Sequence, residues 1–484
     1  MATTTPPPEA AFVRDTMLPP RPPPVHSPGP VRWLRRNLFS GPLNIVLTLL
    51  GLALLWVVVS TFWPWLSHSV WNAGSMAECR KIIAAAYGPD ASGGCFAVIH
   101  HRWNQFLFGF YPAELYWRPV LAFALLFLAL APVLFSESRR SRRVVTGLAS
   151  VLGLVLAARL GAGPGALGVA VLVIAGWIWL IETRPTLSLL ASLAYPFAGV
   201  WLLWGGSLWR PAAALAGFAL GYAVWRGLAR LGMGAVVAAI LATLAWWLWA
   251  AGPVGAALQS AIPAALRPVP SDQFGGFVLS ITIGVAGIAL SLPMGIVLAL
   301  GRQSDLPLVR ILSVLFIEFI RGVPLITLLF VASLLLNYFL PPGTSFDIIL
   351  RVIIMVTLFS AAYMAEVIRG GLAALPRGQY EAAAALGLDY WKAQRLVILP
   401  QALKIAIPGI VSTFISMFKD TTLVTFVGLF DPLKAMSDTI RASFEWKGAY
   451  WEPYIFVGAI FFVLCFGMSR YSMHLERRLK RDHR

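Results

Sequence analysis

Residues 376–400 read PRGQYEAAAALGLDYWKAQRLVILP, a stretch too polar for a bilayer and too patterned for a spacer. Apolar runs lie on both sides of it, so it hangs from one face of a membrane domain. Gln379–Leu386 is a run of strong helix formers, with alanine at 382, 383, 384 and 385. Gly387 stands where a helix ends in a left-handed residue. Asp389 is placed to cap a second helix that leads into the next span. The spacing therefore predicts a short helix along the membrane surface, hinged to a span at Gly387. Its alanines leave a slim face able to enter a groove, and Arg377 and Glu381 supply charge for a partner.

Composition sets the class around this loop. Hydrophobic residues make up 58% of the 484 and charged residues 12%, and mean hydropathy is +0.76. Soluble domains carry about a quarter charged residues, so this surface faces lipid. The length accommodates roughly a dozen spans of ~20 residues each, an all-α polytopic chain. A net charge of +17 would suggest nucleic acid in a soluble protein. Here the basic residues sit in short loops and at the termini, as the positive-inside rule expects, and nucleic acid is excluded as a partner.

Residues 1–30 hold ten prolines and predict a disordered cytoplasmic tail. Arg32, Arg35 and Arg36 precede an apolar run, making 31–63 a first span that leads outward. Residues 64–118 are polar, bounded by aromatics, and predict a small extracytoplasmic domain. Its Cys79 and Cys95 are either a disulfide or two free thiols. His100 and His101 point different ways on any regular element, and no ligand spacing accompanies them, so no metal site is expected. Six accessory spans follow within 119–251, with basic loops such as Ser138–Arg143 on alternate connections. A proline-bearing linker at 252–273 separates them from 274–471, where spans near 274–301, 309–339, 348–370, 396–418 and 453–471 carry internal prolines and polar residues. Residues 472–484 form a basic tail. About twelve spans, with both termini and the 376–400 loop inside and 341–347 and 419–452 outside, satisfy every strong basic cluster.

Glu381-Ala382-Ala383, Gly387 and Val397-x-Leu399-Pro400 stand at the spacing EAA–x3–G–x9–[IV]–x–L–P. This resembles the signature loop of permease subunits of ATP-binding-cassette importers. Glu318–Leu325, Glu366–Gly371, Ala385–Leu388, Leu399–Leu403 and Lys419–Leu423 are similar to the polar-amino-acid branch, over about 200 residues in order. The long N-terminal part resembles the larger permease subunit of general L-amino-acid importers. The resemblance implies a type I core of five spans behind an extension of about seven, in a bacterial inner membrane, moving L-amino acids. It also implies that the loop docks on an ATPase through Arg377, Gln379, Glu381, Ala382, Ala383, Gly387, Leu399 and Pro400. The implied partners are a second permease (a distinct one favoured over a second copy), two ATPase subunits, an extracytoplasmic amino-acid-binding protein and membrane lipid.

The chain has no Gly-x4-Gly-Lys-[Ser/Thr] loop, so ATP and Mg belong to a partner and the chain is not itself an enzyme. A zwitterion crossing the bilayer needs polar groups at depth. Pro293 and Gly295, Gly322-Val323-Pro324, and Pro400 with Pro408-Gly409 are expected to interrupt core spans. Glu318 with Arg321, and Glu366 with Arg369, are spaced i, i+3 and are expected to pair on one helix face as gating or structural ion pairs. Lys419, Asp420, Thr421, Thr422, Tyr363 and Thr327 are pathway candidates. Thr282, Ser360, Ser412 and Ser416 are weaker, because intramembrane hydroxyls commonly bond the preceding turn. Two other readings are an ion-coupled secondary transporter, which needs internal repeats and a midplane carboxylate, and a non-transporting assembly subunit.

Overall fold

A computed structural model describes residues 29–135, 138–335, 338 and 346–481. Nearly all of the proline-rich tail, most of the loop at 341–347 and the last three residues of the basic tail lie outside that set. The chain forms two compact units, one drawn from Met1–Val70 with Arg80–Gly94 and one from Trp71–Cys79 with Cys95–Arg484.

The first unit is built on α1 (Pro30–Asn37) and α2 (Pro42–Ser67), followed by the C-terminal part of α3 (Met76–Tyr87). α2 is apolar on every side and buries none of its residues, as a helix does when lipid is its solvent. Beyond it, Gly94 N–H donates to Trp65 O and Val70 N–H to Gly94 O, both at 2.8 Å. His68 stacks on Tyr87 with ring centroids 3.8 Å apart.

In the second unit Cys79 and Cys95 are joined as a disulfide. The Cys95 N–H donates to the buried Glu452 carboxylate at 2.7 Å, and Met76 N–H donates to Glu445 O at 2.7 Å. α4 (Ala97–Phe108) leads to the accessory helices α5 (Trp117–Leu134), α6 (Arg139–Arg159), α7 (Pro164–Thr183), α8 (Pro185–Ser192), α9 (Tyr195–Trp204) and α10 (Trp209–Gly227). α11 (Met233–Ala245), a π turn at Trp246–Ala250 and α12 (Ala251–Ala261) then run on without a loop. A two-residue ribbon, β1 (Gly206–Ser207) antiparallel to β2 (Ala265–Leu266), closes the α9–α10 junction over the end of α12.

Two expectations shift here. Residues 187–204 are not one span but α8 and α9, and a helix of ten residues covers only about 15 Å of a ~30 Å hydrocarbon layer. The expected linker start at Gly252 lies inside helix, because Pro253 follows the π turn, where the hydrogen-bond ladder is already displaced. Among the described residues nine helices are long and apolar enough to cross a membrane, or ten with one bent pair counted as a span. The two expected stretches missing from that set are 187–204 and 211–229, the latter matching α10 with Arg210 and Arg226 near its ends.

The C-terminal bundle consists of α13 (Gly276–Arg302), α14 (Pro307–Gly322), α15 (Leu325–Phe330), α16 (Ile348–Ala373), α17 (Arg377–Ala385), α18 (Tyr390–Ala393), α19 (Leu399–Asp420), α20 (Pro432–Ala442) and α21 (Trp451–Arg481). α16 packs between α13 and α19, and α19 packs on α21. Small residues allow that closeness: a Cβ at Gly295 would come 2.7 Å from Met364, and one at Gly409 2.7 Å from Val367. Pro293 and Pro408 lie inside unbroken helices, contrary to the expected interruptions. Their glycine neighbours serve helix contact, while the two prolines stand on exposed faces of helices that run on through them. The chain does break at Gly322–Pro324, where α14 and the following helix bend by 102°.

Outside the spans, Asp431 caps α20 by accepting from the N–H groups of Leu433 and Lys434, each at 3.0 Å. Its side chain is fully buried, and burial pushes the carboxyl up to about 6 against the lowering effect of those donors.

Candidate functional site

The loop 376–400 is built from local signals. Pro376 sets extended backbone ahead of α17. The helix ends where Gly387 turns left-handed at φ +69°. Gly387 N–H donates to Ala384 O at 2.9 Å and Leu388 N–H to Ala383 O at 3.2 Å, the paired bonds of a Schellman cap. Asp389 then caps α18, accepting from Lys392 N–H at 2.9 Å and from Lys392 Nζ at 2.8 Å. That lysine holds the Asp389 carboxyl below its ordinary range.

Ala383 is buried, whereas Arg377, Glu381, Ala382 and Gly387 are exposed, and Leu386 is 78% exposed. Arg377 and Glu381 have no ion-pair partner among the described residues. Gln401 Nε2 donates to Gln379 Oε1 at 2.9 Å, tying the surface helix to α19. Leu399 is half-buried and Pro400 lies at the first turn of α19. Sequence reasoning placed Gln379 in the loop but missed Gln401 as its partner, because the pair is 22 residues apart.

Near the same end of the bundle a charge cluster joins three helices. Arg302 Nη1, from the end of α13, reaches Glu318 at 2.9 Å and Glu366 at 2.5 Å. Arg369 lies 3.0 Å from Glu366, and Arg321 lies 3.7 Å from it. Glu366 and Arg369 therefore meet at i, i+3 as expected from spacing. Glu318 and Arg321 do not: Glu318 pairs with Arg302, and Arg321 turns to Glu366 and to the Tyr363 ring, 5.6 Å from its centroid. The physical reason is approach between helices, since Glu366 carries more neighbouring cations than its own helix supplies.

Between α16 and α19 runs a groove of about 280 Å³ lined by Phe359, Ser360, Tyr363, Ser412, Thr413, Ser416, Met417 and Asp420. It brings Tyr363 and Asp420 together with three serines. Ser412, Ser416 and Asp420 recur at i, i+4 and i+8, a face that helical periodicity could have revealed. Lys419 is exposed, and Thr327 lies in α15; neither lines this groove. Thr421 and Thr422 spend their hydroxyls on Phe418 O at 2.7 Å and Lys419 O at 2.9 Å. Among the described residues no group of His, Cys, Asp and Glu could hold a metal.

A bundle of apolar helices long enough to cross a membrane, with a polar groove between two of them and a capped helix on one end, is the layout of a multi-pass membrane protein. Residues 291–481 match the family model "Binding-protein-dependent transport system inner membrane component". The chain is 58% identical over 484 residues to the glutamate/glutamine/aspartate/asparagine transport system permease protein BztC of Rhodobacter capsulatus, covering 98% of this chain and 100% of that one. It is 36% identical to the inner membrane amino-acid ABC transporter permease protein YhdY of Escherichia coli, covering 95% of this chain and 96% of that one. A solved structure, "Crystal structure of an amino acid ABC transporter with histidines", overlaps at 31% identity and a TM-score of 0.37, covering 42% of this chain and 91% of that one. The chain belongs to the family of binding-protein-dependent transport system inner membrane components and is an ABC importer permease subunit. Permease subunits of this kind are not themselves enzymes.

Proposed function

We propose that this permease moves L-amino acids inward and that the 376–400 loop is its point of coupling to an ATPase. The observation that carries the reading is the loop itself. A rigidly capped helix projects Leu386 and the free charges of Arg377 and Glu381, while Gln379 bonds to Gln401 of α19. ATP and Mg bind in the partner; two such subunits drawing together push on α17, and α19 carries the displacement into the bundle. The positive-inside pattern supports a cytoplasmic loop and cytoplasmic termini. The name of the 58% identical relative supports a substrate class of acidic amino acids and their amides, and the family description supports delivery by a binding protein, which we place outside the cytoplasm. A second, distinct permease completes the two-sided pathway. In the groove, Asp420 suits an α-ammonium, and Tyr363, with Arg321 on its ring, suits a carboxylate. The test is uptake of labelled glutamate by proteoliposomes holding the whole complex. Hydrolysis-dead ATPase should stop uptake, and uptake that persisted would refute coupling.

A further inference from the structure

A second groove lies in the accessory helices, away from the loop and the polar groove. A cavity of about 770 Å³ is lined by Ser207, Arg210, Ala214, Trp247, Gly252, Gly255, Gln259 and Ser260, among others. A further cavity of about 360 Å³ continues past Phe218, Gly221, Tyr222, Ile240 and Leu244, and the two share Trp247. The α10 residues concerned, 210, 214, 218, 221 and 222, lie on one helix face. From Arg210 to Tyr222 that face runs about 18 Å, close to the depth of a single leaflet, about 15 Å.

The two ends differ in chemistry. Near the first turn of α10 sit Arg210, Ser207, Gln259 and Ser260, and the other end is mostly carbon, with the hydroxyls of Thr243 and Tyr222 and no charged side chain. Arg210 is exposed and has no ion-pair or hydrogen-bond partner among the described residues. Ser207 Oγ donates to Gln259 Oε1 at 2.6 Å, which leaves the Gln259 amide N–H groups free to donate. Glycine and alanine keep the wall between the ends low, as close approach by a chain requires. A fixed cation beside amide donors, above an apolar channel one leaflet deep, matches a phosphate carrying an acyl chain.

We propose that the α10–α12 groove binds an anionic phospholipid, with Arg210 and Gln259 holding its phosphate and one acyl chain lying along Trp247 to Leu244. The test uses the full-length chain in neutral detergent, with bound lipid counted by native mass spectrometry. Phosphatidylglycerol with 16-carbon chains is titrated against phosphatidylcholine of the same chains and against inorganic phosphate. Both lipids offer the phosphate, but choline's cation offsets it, so phosphatidylglycerol should bind about fivefold tighter than phosphatidylcholine, the value of about 1 kcal/mol per basic residue facing an anionic lipid. Arg210→Gln should erase that preference and Arg210→Lys should keep most of it. Ala256→Leu, which exchanges one strong helix former for another while filling the groove, should weaken both lipids. Arg210→Gln should melt as the parent does, because Arg210 makes no ion pair or side-chain hydrogen bond among the described residues. Equal binding of the two lipids, an unchanged preference in Arg210→Gln, full Ala256→Leu binding, or inorganic phosphate competing as well as the lipid would each overturn the proposal.

Discussion

The C-terminal bundle and the accessory helices are both apolar and both helical, yet they are packed differently. α16 buries 56% of its spanning window and α13 39%, whereas α7 buries 11% and the α11–α12 helix 6%, with α5 at 56% the exception among the accessory helices. Helices in lipid gain no hydrophobic energy by meeting one another, so close packing has to come from small residues and polar bonds. The bundle has both, in Gly295, Gly409 and the Glu366 cluster. Among the accessory helices α5 interlocks as closely, with Gly153 of α6 against its Ala124, whereas α7 and the α11–α12 helix offer their faces to lipid or to other proteins.

The comparison breaks most sharply at the loop. Gly387→Val forces a β-branched residue into the left-handed region, at roughly 1–2 kcal/mol, and removes the Schellman geometry. ATP-coupled uptake by the full complex should fall at least tenfold while the chain melts as before; normal uptake would show that the loop is no lever. Glu381→Lys should cut uptake similarly by reversing an exposed charge, read in the same assay. Next in size is the ion cluster. Glu366→Gln strips the shared charge from Arg302, Arg321 and Arg369, and should cost about 1.5–3 kcal/mol, the range for hydrogen bonds to a charged group. Glu318→Gln, at a site more than half exposed, should cost no more than ~1 kcal/mol. Equal losses in thermal unfolding would mean that Glu366 is no hub.

In the polar groove, Asp420→Asn should raise the KM for uptake about tenfold, the value of one charge-assisted bond, with little change in melting. The smallest effect concerns pH. Asp431 titrates near 6 when folded against an ordinary 3.8, so the folded state holds the extra proton between those values. Its contribution is present in full below about 4, is lost as pH rises to about 6 and is flat above that. Asp431→Asn should remove this slope from stability measured between pH 4 and 7.

The loop was legible because its determinants are local. Gly387 and Asp389 act within four residues of the groups they cap, and Glu366 and Arg369 share one helix turn. Arg302 was not assigned to the cluster because its partners come from α14 and α16. Ser412 and Ser416 looked like hydroxyls bonding their own turn, and only the approach of α16 made them one wall of a groove. Pro293 and Pro408 looked like breaks because proline removes a helix hydrogen bond, yet both stand on exposed faces of helices that continue through them.

Composition, periodicity and the loop spacing by themselves determined an all-α membrane chain and the capped helix at 377–385, since these depend on burial in lipid and on bonds within a turn. Tertiary structure alone decided which charges meet, where the chain bends, how 187–204 divides and where the two grooves open, since each depends on distances between helices far apart in the chain.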